Sequence, residues 1–163
     1  MLTIETAGND QIPVIINIAE NTWWRVYESI LSSDQIRYML DTIYAPSNLS
    51  SQIESGAQTY LILRDDGEPV GFASYSSTDQ AGVGRIHKLY VLPEVHKKGC
   101  GRKLVEEVAT RLRALDMEAV ELNVNRFNPA KGFYERLGFQ VMREEDVPVG
   151  PYWMNDYVMR MTL

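Results

Sequence analysis

The stretch LYVLPEVHKKGCGRKL, residues 89–104, decides how this chain is read. It runs an apolar strand into Pro93 and then places His96, Lys97, Lys98, Arg102 and Lys103 around Gly99 and Gly101. From about Cys100, the apolar residues Leu104, Val108, Leu112 and Leu115 recur on one helical face, so a helix begins where the loop ends. A helix N-terminus presents unsatisfied N–H groups and a partial positive charge. Glycines there let the backbone approach a bulky ligand. Strand, loop and helix together read as an anion site reinforced by basic side chains, and a pyrophosphate is the best-matched anion. The loop fits neither the mononucleotide pattern G-x-x-x-x-G-K-[ST] nor the dinucleotide pattern G-x-G-x-x-G. Taken alone, it also admits a plain helix start with glycines for a tight turn and lysines for solubility.

Working outward, Leu2–Thr6 reads as a short strand, and Asn9 or Asp10 can cap a helix with Pro13 in its first turn. That helix carries Ile15, Ile16 and Ile18 and continues through Trp23, Trp24 and Tyr27. A second helix opens at Ser32, with Gln35 placed for a capping box, and Pro46 stops it. A short helical piece around Leu49–Glu54 ends at Gly56. Strands follow at Thr59–Arg64 and Val70–Ser76, joined by Asp65-Asp66-Gly67, then at Arg85–Leu92 and across Val120, Leu122 and Val124. Asn128-Pro129 reads as N-cap and N1 of a helix that Gly138 ends. Phe139–Arg143 and Tyr152–Met161 close the chain as strands. The pattern predicts a single α/β domain built around a mixed sheet.

Composition narrows the partners. With 163 residues, 45% hydrophobic and 23% charged, the chain has the ordinary balance of a globular domain. A formal net charge of −6 disfavours nucleic acid and favours a cationic substrate. No apolar run suits a membrane span, and the N-terminus shows no signal-peptide pattern. One cysteine fits a reducing, cytoplasmic compartment. His87, His96 and Cys100 match no common zinc spacing, so no metal is expected.

Residues 86–104, IHKLYVLPEVHKKGCGRKL, resemble the acetyl-coenzyme A loop of the GCN5-related N-acetyltransferases, or GNATs. In that family an L-x-V-x-P strand precedes [QR]-x-x-G-x-[GA]. Leu89-Tyr90-Val91-Leu92-Pro93 matches the strand and Gly99 and Gly101 the glycines, while His96 replaces the usual Gln or Arg. NPAKGFYERLGF, residues 128–139, resembles the family's second signature with one residue fewer between Asn128 and Ala130. The two ends of the chain resemble, less specifically, the polyamine-acetylating PaiA-type branch. The resemblance implies a mixed, mostly antiparallel sheet of six to seven strands flanked by about four helices. It also implies an enzyme that passes acetyl from acetyl-coenzyme A to an amine by direct attack. Backbone N–H groups of residues 97–103, Cys100 included, are then expected to hold the pyrophosphate, and Leu89, Tyr90 and Val91 to pair with the pantetheine arm.

Such a reaction needs a neutral amine, donors for the oxyanion, and a proton for the departing thiolate. Tyr134 matches the family's general acid, with aromatic packing beside Phe133 and Leu137 as the other reading. His87, alternating with Leu89 and Val91 along the strand, resembles the catalytic histidine of serotonin N-acetyltransferases in the pattern H-x-L-x-V; it is the candidate base. Asn128 and Arg136 are candidate cofactor contacts, the latter for the 3′-phosphate. Trp23, Tyr27 and Tyr152 are candidates for an aromatic wall around a small-molecule amine, a polyamine above all. A protein or peptide acceptor and a non-catalytic acyl-coenzyme A binder are the competing readings. Glu28, Glu54, Asp146 and Asp156 are carboxylates available to a cationic substrate, and spacing singles out none. A homodimer through the edges of Val141 and Tyr157–Met161 is one arrangement the sequence allows.

Overall fold

The computed structural model describes the backbone of residues 1–163 and every side chain except that of Lys97. Seven strands and five α-helices follow one another as β1 (Leu2–Thr6), α1 (Ile12–Tyr27), α2 (Ser33–Ile43), α3 (Pro46–Ser55), β2 (Thr59–Asp65), β3 (Glu68–Ser77), β4 (Val83–Val91), α4 (Cys100–Ala114), β5 (Ala119–Asn125), α5 (Ala130–Leu137), β6 (Gln140–Val149) and β7 (Tyr152–Thr162). The strands form one sheet in the order β1-β2-β3-β4-β5-β7-β6. Every neighbouring pair is antiparallel except β4–β5. The expected mixed, mostly antiparallel α/β architecture is therefore present, with one more α-helix than anticipated.

The short helical piece expected around Leu49–Glu54 is the longer helix α3, for a local reason. Pro46 ends α2, as expected, but it also opens α3, where its missing N–H costs no intrahelical bond. Gly56, at φ 74°, closes α3 in the left-handed conformation. The capping box of α2 is only half formed. Ser32 Oγ accepts from Gln35 N–H at 3.1 Å, while the Gln35 side chain donates to the Trp153 carbonyl at 2.8 Å and ties α2 to β7. Asp66 and Gly67 both adopt positive φ and form the two-residue turn between β2 and β3.

Two apolar clusters sandwich the sheet. Leu104, Val108 and Leu112 of α4 pack with Val120, Leu122 and Met159 on one face. Ile15, Ile18, Trp23, Ile36, Met39 and Leu49 of α1–α3 pack with Tyr60, Ile62 and Phe72 on the other. The buried positions of α1 recur every three or four residues, which gives the helix one continuous face against the sheet.

The C-terminal hairpin departs from expectation. β6 runs on to Val149, because Arg143-Glu144-Glu145-Asp146, which reads as the end of a strand, lies along a solvent-facing rim. Charge on a rim strand blunts pairing with other chains. β7 lies between β5 and β6, so Tyr157–Met161 offers no free edge, and that half of the expected dimer contact does not exist. At the hairpin tip Gly150 has φ 57°, and a Cβ there would meet the Tyr38 hydroxyl of α2. Among the described residues, no helix is long and apolar enough to cross a membrane.

Candidate active site

The site begins where the sheet splits. β4 and β5 pair in parallel only over Val83–Ile86 and Ala119–Leu122, and then diverge. Leu92 N–H donates to the Val70 carbonyl on β3 at 2.8 Å. By strand alternation, the backbone groups of Leu89 and Val91 therefore point the other way, into the gap beside β5. This is a free strand edge inside a sheet.

A β-bulge sits just before that edge. Ser74 pairs with Lys88 and Tyr75 with Ile86, which leaves His87 as the extra residue. The bulge turns His87 towards Ser76, whose Oγ lies 2.7 Å from Nε2. His87 therefore leaves the face of Leu89 and Val91 on which simple alternation placed it. Partial enclosure first, then the positive charges of Arg85 and Lys88, push its pKa down to about 4.

The loop delivers its positive charge through the backbone. A 3-10 turn, Pro93–Lys98, leads to Gly99 at φ 73° and into α4. Lys103 N–H closes the first helical bond, to the Gly99 carbonyl, so the N–H groups of Cys100, Gly101 and Arg102 have no intrahelical acceptor. The described basic side chains of Lys98, Arg102 and Lys103 lie near acidic residues. Lys98 pairs with Asp65 at 2.7 Å, Arg102 lies 3.9 Å from Glu106, and Lys103 lies beside β1 with Glu106 and Glu107. The Lys97 side chain lies outside the described residues. His96 Nε2 lies 2.8 Å from the Val91 carbonyl and ties the loop to the free edge. Cys100 is fully buried, and burial raises its thiol pKa, so it offers no nucleophile.

A cavity of about 680 Å³ fills the split. Tyr27, Leu89, Val91, Asn123, Gly101 and Tyr134 are among its walls. Arg25, Lys88 and Arg136 also line it, with His87 and His96, but no described Asp or Glu does. A Cβ on Gly101 would lie 2.9 Å from the Phe133 ring, so only glycine leaves the first turn of α4 open here. Free N–H groups, a left-handed glycine and cationic walls suit a phosphate-bearing cofactor, and the free edge of β4 suits an extended amide chain.

Three tyrosines meet at the floor. The Tyr27 and Tyr90 hydroxyls lie 3.0 Å apart. Burial raises the pKa of Tyr27 to about 12 and that of Tyr134 further, the latter helped by Tyr27. The Tyr134 ring packs against Phe133 and Phe139 at 5.1 and 5.6 Å, while its hydroxyl has no hydrogen-bond partner among the described residues. Asn128 Oδ1 accepts from Ala130 N–H at 2.9 Å, so it caps α5, which starts one residue later than expected.

Two aromatic candidates do not reach the cavity. Trp23 is buried among Tyr27, Tyr44 and Tyr90 and donates to the Tyr44 hydroxyl at 3.1 Å. Tyr152 packs on Tyr38 of α2 at 5.4 Å. Glu28, Glu54 and Asp146 do not line it either. Conversely, Asn123, the exposed Phe127 and Lys88 belong to the walls without having been singled out.

Lys88 shares the face of Tyr90 by strand alternation, and its pairing with Ser74 sets it against that side of the sheet. Its ammonium donates to Gln58 Oε1 at 2.9 Å and lies over the Tyr60 ring at 5.2 Å, with no carboxylate within ion-pair distance among the described residues. Burial lowers its pKa to about 8. An unfolded lysine, near ~10.4, holds its proton over a window where the folded one has lost it. Stability is therefore expected to rise from about pH 8 to pH 10 and then level. Denaturant unfolding across that range should show the rise in the native chain and not in Lys88→Met.

Comparison with known proteins agrees with this geometry. The family model described as "Acetyltransferase (GNAT) domain" matches residues 28–162. The chain belongs to the GNAT family. As a GNAT it is an acetyl-coenzyme A-dependent N-acetyltransferase. It is 27% identical over 143 residues to the uncharacterized N-acetyltransferase Rv2669 of Mycobacterium tuberculosis, covering 87% of this chain and 91% of that protein. Its fold is similar to that of the PaiA N-acetyltransferase of Thermoplasma acidophilum solved with coenzyme A, with a TM-score of 0.85 at 23% identity over 100% and 99% of the two chains. A GNAT from Rhodopseudomonas palustris is similar with a TM-score of 0.84 at 18% identity, over 99% and 95%. Among the described residues of this GNAT, no group of three or more His, Cys, Asp or Glu is placed to hold a metal ion.

Proposed function

We propose that the protein acetylates a primary amine of a small molecule, with a polyamine as the leading class. One observation carries the reaction chemistry: Tyr134 is a buried residue that lines the cavity beside the free edge of β4, and its hydroxyl has no hydrogen-bond partner among the described residues. Tyr134 remains protonated across the physiological range and hands its proton to the departing thiolate. Bound acetyl-coenzyme A supplies the activated acetyl group. Leu89 and Val91 hold its amide chain along the strand edge, and the Val91 N–H faces the carbonyl oxygen as negative charge develops. Cys100, Gly101 and Arg102 N–H groups hold the phosphates, with Arg136 alongside. His87, neutral at pH 7, accepts hydrogen bonds but is too weak a base to keep an amine deprotonated.

Support for a small acceptor comes from the enclosure of the site. Tyr27 at the end of α1 and Ile30 in the turn after it cover one side, and the hairpin tip is fastened to α2 through Gly150, Tyr152 and Gln35. The acidic chain and the PaiA-like ends favour a polyamine. The test is thiol release from acetyl-coenzyme A across polyamines, amino acids, aminoglycosides, arylalkylamines and short peptides. Turnover with polyamines is expected. Turnover confined to peptides would transfer the assignment to a protein acceptor, and intact cofactor binding with no turnover would favour a non-catalytic binder.

A further inference from the structure

Among the described residues, Phe127 is the one exposed large apolar side chain that lines the cavity, and it is 73% exposed. A single exposed apolar side chain is ordinary on a protein surface; what distinguishes Phe127 is its place. It stands in the short turn between β5 and α5 and belongs to neither core cluster. The backbone beneath the ring is firmly held. Arg126 N–H donates to the Asn155 carbonyl at 3.0 Å, Phe127 N–H to Asn125 Oδ1 at 3.0 Å, and Asn128 N–H to the Asn125 carbonyl at 3.0 Å. Asn125 is itself buried. The Arg126 guanidinium adds two anchors, to the Asp156 carbonyl at 3.1 Å and to Asp146 at 2.7 Å. The fold thus fixes this turn and leaves the ring in water, so a ligand that covers the ring orders little that is not ordered already.

Two ligands enter this cavity, and position decides between them. The cofactor's phosphates belong at the first turn of α4, where Gly101 meets the Phe133 ring, with Arg136 near the far end of α5 alongside. Phe127 stands at the opposite end of α5, ahead of its first turn. Asn128, the next residue, lies within reach of the Tyr27 hydroxyl at the end of α1. Tyr27 and Ile30 form the wall assigned above to the acceptor, so Phe127 shares the acceptor's side.

The walls carry Arg25, Lys88 and Arg136 but no described Asp or Glu. Asp156, buried on β7, accepts from Asn123 at 3.2 Å and is not part of the wall. An acceptor amine therefore finds no carboxylate in the cavity to pair with, and apolar contact is what these walls offer it. We infer that Phe127 is a specificity-determining residue: its ring covers the hydrocarbon segment behind the reacting nitrogen, so that the enzyme favours primary amines carried on a long uninterrupted carbon chain. This inference rests on the proposed acetyl transfer to a primary amine. A second ammonium at the far end of the chain stays outside in water, where it pays no desolvation.

The test is the acetylation of the α,ω-diamines of propane, butane, pentane and hexane by the native enzyme and by Phe127→Ala. A fully buried methylene is worth about fourfold in affinity, and one covered on a single side about twofold. In the native enzyme KM is expected to fall about twofold with each added methylene. In Phe127→Ala it should stay nearly level, ending about eightfold above native for the longest diamine. The kcat should hold throughout, because the contact is the same before and during attack. Phe127→Leu should restore most of the trend. Coenzyme A binding by calorimetry should be unchanged in both variants, and circular dichroism should match the native chain, since an exposed ring is removed. The inference is overturned by a native chain-length trend that survives in Phe127→Ala, by a KM raised equally for every diamine, or by a loss confined to kcat. A weakened Kd for coenzyme A with the amine trend intact would place the ring on the cofactor and overturn it too. In each of those cases the acetyl transfer itself stands. A native enzyme that acetylates no amine would overturn both.

Discussion

Tyr134→Phe is expected to lower kcat about a hundredfold or more, the usual worth of a positioned proton donor. The substitution removes one oxygen and leaves the ring to pack on Phe133 and Phe139 as before. Removing a hydroxyl that has no partner among the described residues costs no hydrogen bond within the fold, so the melting temperature should hold. Coenzyme A binding, measured by calorimetry, should not change, because the loop and the β4 edge are untouched. Burial also holds the phenol well above its ordinary value. In the native enzyme the activity should therefore show no loss from Tyr134 ionisation up to pH 10. Unchanged kcat in the variant would remove Tyr134 from the chemistry.

Gly101→Val is expected to have the largest effect on cofactor binding. A Cβ at this position already crowds the Phe133 ring at 2.9 Å. The added methyls of valine would push that ring into the cavity and screen the first N–H groups of α4. Loss of one charge-assisted hydrogen bond is worth about 1.5–3 kcal/mol, so the Kd for coenzyme A should rise about ten- to a hundredfold. Calorimetry reads this directly, and circular dichroism checks that α4 still forms. An unchanged Kd would mean that the phosphates are not held at this helix terminus.

The parts of this molecule that follow local rules could be read from its letters. Apolar spacing in α1, α2 and α4, the Asp66-Gly67 turn, and the glycines ending α3 and α5 all act over a few residues, and all lie where the sequence places them. The two signature stretches likewise fall at the loop before α4 and on α5. What is not legible locally depends on partners far along the chain. Simple alternation cannot foresee the bulge that turns His87, since it arises from the register against β3. Lys98 is basic in the sequence but is engaged by Asp65 at the end of β2. Trp23 and Tyr152 have the residue types of an amine cage, yet packing against Tyr44 and Tyr38 claims them. Asp156 is one acid among many until β5, β6 and β7 enclose it.

The short pairing of β4 with β5 has a consequence beyond catalysis. Most sheets keep their unpaired backbone at the rim, where charge can guard it, as Glu144, Glu145 and Asp146 do on β6. Here a further unpaired edge lies in the interior, along Leu89 and Val91. An extended ligand that pairs with it acts as an eighth strand borrowed from another molecule. Fold stability then becomes a function of ligand concentration, and saturation at a hundred times Kd adds about 2.7 kcal/mol. The durability of this protein in a cell would thus track the cell's acetyl-coenzyme A supply.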